Sequence, residues 1–551
     1  MISIFASLGI EIAGIVLLFA AARRIPPGGS RRLRRAFGGL SRVARRPALT
    51  IALSGAMALL VAVSVSRLRP PVPSVHDEFS YLLAADTFLH GRLANPPDPH
   101  WVHFETIHVI QQPTYASKYP PLPGLFLALG ELAAGEPVAG AWLATALATA
   151  ALCWMLQGWL PRRWALLGAL LFAFHPAIQI VWGRSLWGGA PAILGGALVF
   201  GALPRCVRDP RAGSAALLAL GVAVLANTRP YEGLLATLTA GLGLAVGLAR
   251  RRTPISLVLR KLALPAAVVL LPCAAAMAHY NARVTGDPLR FPYQVHEAAY
   301  GAAPLFLFQD RPPTPVYRHR ALERFHGEWA LTAYQEQRSL AGVVRFKALG
   351  LFGAWLFLLG PTLTVPLLAG LRRLRRPETA FAAAALAASL AGVVWITWLQ
   401  PHYLAASLPL VWLLVVAGLR RIHARRSPAR SGRLVVAGLV VLHLFTFASL
   451  LSRALAEPRD GWGFERARIV ERLEALPGRH LVLVRYGPRH DPLAEWVYNG
   501  ADLAGSKVLF AREMGPAQDA PLLARFADHR AWLLVADEQP PRLVERARIR
   551  P

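Results

Sequence analysis

Cysteine and acidic residues are both scarce in this chain of 551 residues. Its three cysteines lie in or beside apolar stretches, which argues against a disulfide framework or a zinc cluster. Only 31 acidic residues stand against 60 basic ones, so the formal net charge is +29. A soluble chain this basic would suggest a nucleic-acid partner. However, 55% of the residues are apolar and the mean hydropathy is +0.40, which argues against disorder and against a soluble nucleic-acid-binding protein.

Long uncharged stretches instead predict a polytopic α-helical membrane protein. A helix needs about 20 apolar residues to cross a bilayer. Twelve stretches meet this description: 2–21, 48–66, 138–160, 164–182, 186–204, 213–228, 231–249, 262–280, 348–370, 378–398, 404–420 and 434–453. We divide the chain into an N-terminal span with a basic loop (1–47), a membrane domain (48–453) and a C-terminal domain (454–551).

Arginine collects in short loops on one side of the predicted spans. Because short loops rich in Lys and Arg stay in the cytoplasm, we predict that this side is cytoplasmic. The arginine clusters are therefore interpreted as topology signals, and the expected location is a bacterial inner membrane. Six loops share this side and together contain 29 Lys and Arg residues against one acid: 23–46, 162–163, 205–211, 250–261, 372–376 and 420–433.

The opposite side, called the loop side below, carries the long polar segments. These are the first large loop (67–137), the second large loop (281–345) and the tail after residue 453. Within the first large loop, 120–134 is too short to cross comfortably and predicts an interfacial or re-entrant helix. The tail has apolar stretches at 480–486, 507–513 and 531–537, with helical stretches near 491–499 and 518–527. This order predicts a small parallel α/β domain on the periplasmic side.

Charged residues are nearly missing from the interiors of the predicted spans. Glu11 is the one acid at membrane depth, and the eleven later spans contain no Asp, Glu, Lys or Arg in their interiors. Transporters usually place ionisable groups there, so a pump or ion-coupled carrier is disfavoured. The longest cytoplasmic loop has no P-loop or dinucleotide fingerprint. An enzyme acting on the loop side would therefore need an activated donor already in the membrane, such as a polyprenyl-phosphate sugar.

The richest group of reactive residues opens the first large loop. SVHDEFSY (74–81) places Asp77 and Glu78 just after a span, and Lys118 and Tyr119 begin the run KYPPL (118–122). This pattern resembles the GT-C glycosyltransferases, a superfamily that includes protein O-mannosyltransferases and the aminoarabinose transferases that modify lipid A. The segments WGRSLWGG and NTRPYEG are similar to a bacterial subgroup of these proteins. The resemblance covers about residues 48–450.

The resemblance implies a GT-C-like membrane domain that transfers a sugar from a lipid phosphate. It maps the catalytic aspartate onto Asp77, with Glu78 as its neighbour, and the phosphate-binding lysine onto Lys118, beside Tyr119. Two features depart from the family pattern. One is the extra N-terminal span, and the other is the lack of an acid near Arg184, which argues against a two-carboxylate or metal-bridged mechanism.

The chemistry of such a transfer requires only one general base. A polyprenyl phosphate leaves as a stable anion, so a general acid is dispensable, whereas the acceptor hydroxyl still needs a proton acceptor. Asp77 and Glu78 are adjacent and point in different directions on a regular backbone, so they are not expected to share one role. The alternative is that Asp77 only caps the helix that begins near Glu78.

A phosphate leaving group needs fixed positive charge, for which the loop side offers several candidates. Arg229 lies at a span end near Glu232, and we weigh phosphate binding ahead of anchoring there. Arg184 lies between two tryptophans and could equally be an interfacial anchor. His402 could line the same cavity or act as a structural hydrogen-bond partner. The remaining candidate cations are Lys118, Arg283 and Arg290.

No certain cofactor follows from the sequence, and a divalent cation is left open. His100, His103, Glu105 and His108 are close in sequence, but their spacing matches no standard metal site. The expected function is an inverting glycosyltransferase that moves a sugar from a polyprenyl-phosphate donor to a glycan, lipid or protein acceptor of the envelope. A lipid-linked glycan carrier or flippase and a non-catalytic envelope-assembly protein are the alternatives.

Overall fold

The computed structural model describes residues 2–24, 31–424, 426–427 and 430–546. Residues 25–30 of the predicted N-terminal basic loop lie outside this description, as do residues 425 and 428–429 of the last basic loop and the end of the tail. The fold has two parts: a large bundle of apolar helices, and a small α/β domain formed by the tail.

Within the described residues, eight helices are long and apolar enough to cross a membrane. Each coincides with one of the twelve predicted spans, which confirms a polytopic α-helical membrane protein. Many of their leucines and valines are exposed on the outside of the bundle, as expected for surfaces that face lipid. The eight helices are Pro47–Leu68, Val138–Trp159, Ala190–Arg208, Pro230–Arg250, Ile255–Thr285, Leu340–Leu358, Pro401–Ala424 and Gly432–Ala456.

The other four predicted spans are also helical. The first is the helix Ile2–Arg24 of 23 residues, with an apolar part at Leu8–Ala22. The second is interrupted, with Arg162–Ala173 followed by the short helix Ala177–Trp182, and the last two are the shorter helices Ala212–Ala226 and Pro377–Val393.

The prediction of one unbroken span at 348–370 is wrong. The first helix ends at Leu358, and a second one, Gly360–Leu371, begins with Gly360 at φ +58 followed by Pro361. Glu11 of the first helix accepts hydrogen bonds from the amide (3.0 Å) and hydroxyl (2.6 Å) of Thr362. The lone acid at membrane depth thus satisfies the exposed N-terminus of the second helix.

The centre of the bundle is the helix Leu408–Ala424, whose side chains are buried from Leu408 to Leu419 except for the partly buried Val411. It packs against Gly360–Leu371 with the two backbones in contact. A Cβ at Gly418 would lie 1.7 Å from the carbonyl oxygen of Pro366. Small residues at such crossings let membrane helices approach closely, so glycine is required at this position.

The two large loops fold over the loop side of the bundle. The predicted helix at 120–134 is present and has 14 residues, while its interfacial position stays a prediction. The first large loop contains the helices His76–Leu89, Trp101–Phe104 and Pro121–Ala134, and the short antiparallel pair Val109–Ile110 and Ala116–Ser117. The second contains the helices Pro292–Tyr300, Arg320–Leu322, Glu323–Ala330 and Leu331–Gln335.

The tail forms the predicted small α/β domain. All three predicted strands are present and run parallel, and the helix predicted near 518–527 is found at Pro516–Arg525. A further helix, Trp462–Glu474, precedes the sheet. A fourth strand pairs antiparallel at one edge. In spatial order the strands are Val508–Arg512, Arg479–Arg485, His529–Val535 and Arg542–Glu545.

The helix predicted at 491–499 is absent, and this stretch is irregular. Two side chains explain why its backbone follows a different path. Glu495 is fully buried and accepts hydrogen bonds from Arg512 and Tyr486. Tyr498 stacks on Phe79 of the first large loop, with ring centroids 4.4 Å apart. Tertiary contacts have therefore overridden the local helical preference.

The C-terminal domain packs directly on the first large loop. The Arg525 guanidinium pairs with Asp98 at 2.9 Å, and Asp86 accepts from the amide of Ala501 at 2.6 Å. The buried Arg512 donates to the carbonyl oxygen of Glu105 at 2.8 Å. The loop that carries the candidate catalytic residues is thus held between the membrane bundle and this domain.

Candidate active site at the start of the first large loop

Asp77 is the second residue of the helix His76–Leu89 and is partly buried. One of its carboxylate oxygens accepts a hydrogen bond from the Tyr119 hydroxyl. Val75 is the N-cap residue, and the neighbouring Glu78 completes the cap by accepting from backbone amides. The cap of this helix is therefore provided by Glu78, which leaves the carboxylate of Asp77 directed at the site.

Glu78 has a structural environment that differs from that of Asp77. Its carboxylate is 4% exposed and accepts from the amides of Ser74 (2.8 Å), Val75 (3.1 Å) and Leu186 (3.1 Å). Burial raises the pKa of Glu78, although these hydrogen bonds oppose the shift. Glu78 thus joins the loop start to the segment before the helix Ala190–Arg208, and this bonding fixes the position of the adjacent Asp77.

A hydrogen-bonded link between two segments positions Tyr119 and Lys118. The hydroxyls of Ser80 and Ser117 are 2.7 Å apart, and Ser80 also donates to the carbonyl oxygen of His108 at 2.7 Å. His108 has φ +65, a left-handed conformation that is uncommon for residues other than glycine. The short β-pair is thereby fixed against the helix that carries Asp77, and it delivers Lys118 and Tyr119 to the site.

Lys118 is 6% exposed and lies against the helix Pro292–Tyr300 of the second large loop. Its ammonium is 3.4 Å from the Glu297 carboxylate and 5.4 Å from the centre of the Tyr293 ring. Burial alone would favour the neutral acid, but Lys118 and His296 lower the pKa of Glu297 to about 2. Glu297 is therefore ionised near neutral pH, and the pair ties the two large loops together.

Arg229 precedes Pro230, the first residue of the helix Pro230–Arg250. Its guanidinium lies 5.4 Å from the centre of the Tyr403 ring. Among the described residues, none forms a hydrogen bond or ion pair with this guanidinium. A partly buried arginine whose five N–H donors have no partner among the described residues is suited to bind an anion.

The charges of Asp77 and Arg229 both act on Tyr81. Burial is the main cause of the raised pKa of Tyr81; the Arg229 charge opposes this shift and the Asp77 charge adds to it. The Tyr81 ring also stacks on the Tyr119 ring, with centroids 4.5 Å apart. Asp77 is thus hydrogen-bonded to one of two stacked tyrosines, and the charge of Arg229 acts on both of them.

Arg184 is placed differently from the other predicted cations. Its guanidinium donates to the carbonyl oxygens of Arg69 (3.0 Å) and Ile180 (3.3 Å), and burial lowers its pKa. Arg69 in turn donates to the carbonyl oxygens of Glu457 and Pro458, where the tail begins. Arg184 thus belongs to a network of main-chain contacts that joins the bundle to the C-terminal domain.

The two remaining predicted residues lie on the membrane side of the cluster. Glu232, in the first turn of Pro230–Arg250, is 8% exposed and close enough for its charge to contribute to the raised pKa of Tyr293, whose main cause is burial. His402 is 7% exposed, and its ring contacts Trp187 at 4.7 Å between centroids. Both therefore border the group of aromatic side chains around Arg229.

Several histidines near Lys118 had not been predicted from the sequence. His76, His108, His296 and His326 are close together, and neighbouring rings in this group are 5.5–6.2 Å apart between centroids. Burial lowers the pKa of all four, and that of His296 falls to about 4. These imidazoles are accordingly neutral. Within the described residues, no group of three or more His, Cys, Asp or Glu is arranged to hold a metal ion.

The histidines occur on four separate segments, so no local motif could have revealed them. One general signal was present in the sequence, namely the mixture of aromatic and polar residues in the second large loop. Glu297 and Tyr293 were missed for the same reason. Their partner, Lys118, is about 180 residues away in the chain. The four residues His100, His103, Glu105 and His108, considered as metal ligands, have different partners: His103, for example, faces Asp519 at 3.6 Å.

The site combines acids and cations in a small volume. Asp77, Glu232 and Glu297 are the carboxylates, and Lys118 and Arg229 are the cations. When all five groups are ionised their formal charges sum to −1, so long-range attraction would not retain a phosphate. Direct hydrogen bonds from unpaired donors would have to supply the affinity. The arrangement can accept a proton at Asp77 and hold an anion at Arg229.

No family model and no curated protein matches the chain, whereas solved structures do. ArnT from Cupriavidus metallidurans bound to undecaprenyl phosphate has a TM-score of 0.51 at 13% identity, over 88% of this chain and 93% of that chain. Its apo state has a TM-score of 0.50 at 12% identity, over 87% and 92%. An Archaeoglobus fulgidus oligosaccharyltransferase has a TM-score of 0.41 at 11% identity, over 88% and 69%. At these identities the likeness to ArnT concerns the fold alone: the chain is a polytopic membrane protein that shares the fold of ArnT.

Proposed function

We propose that this protein is an inverting glycosyltransferase that moves a sugar from a polyprenyl-phosphate donor to an acceptor of the bacterial envelope. The observation that carries the proposal is the combination of two groups beside the stacked rings of Tyr81 and Tyr119: the Asp77 carboxylate, oriented by Tyr119, and the Arg229 guanidinium, which has no hydrogen-bond partner among the described residues. This cluster lies where the large loops cover the ends of the spans.

Asp77 is the proposed general base. The acceptor hydroxyl attacks the anomeric carbon while the bond between that carbon and the phosphate oxygen breaks. The bonding electrons leave with the polyprenyl phosphate, and the hydroxyl proton passes to Asp77. One displacement of this kind inverts the anomeric centre. The hydrogen bond from Tyr119 orients the carboxylate and leaves its second oxygen for the acceptor.

Arg229 is the proposed main phosphate ligand, and Lys118 supports it. Because Arg229 has no hydrogen-bond partner among the described residues, a phosphate can use its donors without breaking a protein contact. Lys118 is held by Glu297 through a contact of 3.4 Å, and an ammonium has further donors available. Positive charge fixed there stabilises the negative charge that grows on the leaving oxygen.

The likeness to ArnT supports a lipid-phosphate donor, because that protein has the same type of fold and was solved with undecaprenyl phosphate bound. The periplasmic side of a bacterial inner membrane remains the proposed position of the site, on the basis of the arginine-rich loops. The proposed acceptor is a glycan, a lipid or a protein of the envelope. The proposal also allows for a divalent cation at the site.

A direct test separates an enzyme from a carrier. The purified protein is incubated in lipid nanodiscs with a panel of radiolabelled polyprenyl-phosphate sugars and with bacterial envelope extract. The proposal expects loss of sugar from at least one donor and its appearance in the extract or in water. A nanodisc contains no second compartment, so a carrier would leave every donor intact. Intact donors across the panel would contradict the proposed activity.

A further inference from the structure

A cleft of about 490 Å³, including its open mouth, lies between the two large loops. Trp101, Tyr300 and Tyr317 supply aromatic walls, and Glu105, His296 and Arg318 supply polar groups. We propose that this cleft binds one sugar unit, either of the donor or of the acceptor. The proposal rests on the glycosyltransferase function and adds a saccharide subsite to it.

The cleft adjoins the candidate active site through one short helix, Pro292–Tyr300. Tyr293 and Glu297, one turn apart, face Lys118, while His296 and Tyr300 line the cleft. The His296 ring also contacts the His108 ring, with centroids 5.9 Å apart. The two sites therefore share a wall, and a molecule in the cleft would lie beside the proposed phosphate position.

Two buried polar atoms at the cleft have no hydrogen-bond partner among the described residues. One is Oε2 of Glu105, a residue that is 1% exposed; this oxygen lies 3.3 Å from Nε2 of His319, whose hydrogen bond goes to the carbonyl oxygen of Val102. The other is Nε2 of His296, a residue that is fully buried. The second oxygen of Glu105 is already used, since it accepts from Tyr300 at 3.0 Å. Buried polar groups without partners are costly, so a ligand that pairs with them gains affinity.

The chemistry of the lining favours a neutral polyhydroxylated ring over an anion. The buried Glu105 carboxylate would repel a phosphate, and the charge of Arg318 is balanced by Glu105 at 3.4 Å. A sugar hydroxyl can both donate and accept, which matches an unpaired carboxylate oxygen and an unpaired imidazole nitrogen. Arg318 lies over one face of the Trp101 ring, 4.8 Å from its centre, and the ring also lines the cleft.

Saturation-transfer NMR tests the inference on the full-length protein in detergent. The probes are methyl α-mannopyranoside, methyl β-glucopyranoside and methyl β-arabinopyranoside. At least one glycoside should bind the wild type, and Trp101→Ala and Tyr317→Ala should each weaken it roughly tenfold, the usual effect of losing one aromatic contact. The matched control is Phe308→Ala, an aromatic residue of the same loop that is 67% exposed and lies outside the cleft.

Absence of binding by all three glycosides would overturn the inference, and so would equal binding by the wild type and both cleft variants. Addition of a polyprenyl-phosphate sugar identifies the source of the saccharide. Displacement of the glycoside assigns the cleft to the donor sugar, and binding of both together assigns it to the acceptor. Cleavage of the donor is measured separately, so a failed cleft and a failed glycosyltransferase proposal give different results.

Discussion

Arg229 and Arg184 provide a matched pair of variants with opposite expected effects. Arg229→Ala removes a guanidinium that makes no hydrogen bond to the described residues, so the folding energy lost is limited to its contact with the Tyr403 ring and to the attraction between its charge and that of Glu232. Hydrogen bonds to a charged group contribute about 1.5–3 kcal/mol, which corresponds to a loss of phosphate affinity of about 10- to 150-fold. Arg229→Lys keeps the charge and should recover part of this loss.

Arg184→Ala should behave in the reverse manner. The variant leaves the carbonyl oxygens of Arg69 and Ile180 without their guanidinium donor, and each buried acceptor left unpaired costs about 1–3 kcal/mol. The melting temperature is expected to fall, whereas the folded fraction should bind a lipid phosphate as well as the wild type does.

The assay for both variants is the binding of undecaprenyl phosphate to monodisperse protein in detergent, with melting temperatures measured on the same samples. Weaker binding in Arg229→Ala at a nearly unchanged melting temperature, with the opposite result in Arg184→Ala, supports the assignment. Unchanged affinity in Arg229→Ala would refute it and would make Arg229 an interfacial anchor. If Arg184→Ala binds the lipid phosphate more weakly without loss of stability, Arg184 contributes to phosphate binding and its structural assignment is wrong.

Three further predictions follow from other parts of the chain. The pKa of Glu297 in the folded protein is about 2, so its charge stabilises the fold fully above about pH 4.5 and loses this effect as the pH falls towards about 2. The difference in melting temperature between the wild type and Glu297→Gln should therefore shrink as the pH is lowered over this range. Tyr498→Phe removes the hydroxyl 2.9 Å from His76, so sugar transfer should slow several-fold, with stability lowered by about 1 kcal/mol. An impermeant thiol reagent should label Ala504→Cys in intact spheroplasts and Arg375→Cys only after lysis, and the reverse pattern would invert the proposed topology.

Hydropathy predicted the membrane bundle well because lipid imposes one local requirement on every span. Where an apolar span is formed by two helices instead of one, hydropathy does not show where the first helix ends. The stretch 348–370 is uniformly apolar, and the position of its break depends on Gly360, Pro361 and the distant Glu11. The wrong helix at 491–499 has a similar cause, because buried contacts of Glu495 and Tyr498 decide its path.

The candidate site was only partly predictable. Asp77 and Lys118 stand in recognisable local patterns, whereas Glu297 comes from a loop about 180 residues away. Arg184 and Arg229 look alike in sequence, since each lies at a span end among aromatic residues. Only the three-dimensional structure distinguishes them, through the main-chain carbonyl oxygens that Arg184 contacts and Arg229 does not.

The central claim is that Asp77 accepts the proton during sugar transfer. Its most direct test compares wild type and Asp77→Asn with a polyprenyl-phosphate sugar that the wild type uses, while the anomeric form of the product is read by NMR. The account predicts an inverted product and a fall in turnover on the order of 10²–10⁴ for Asp77→Asn, with undecaprenyl phosphate binding and melting temperature preserved. Transfer by Asp77→Asn at the wild-type rate, or a product with retained configuration, would contradict it.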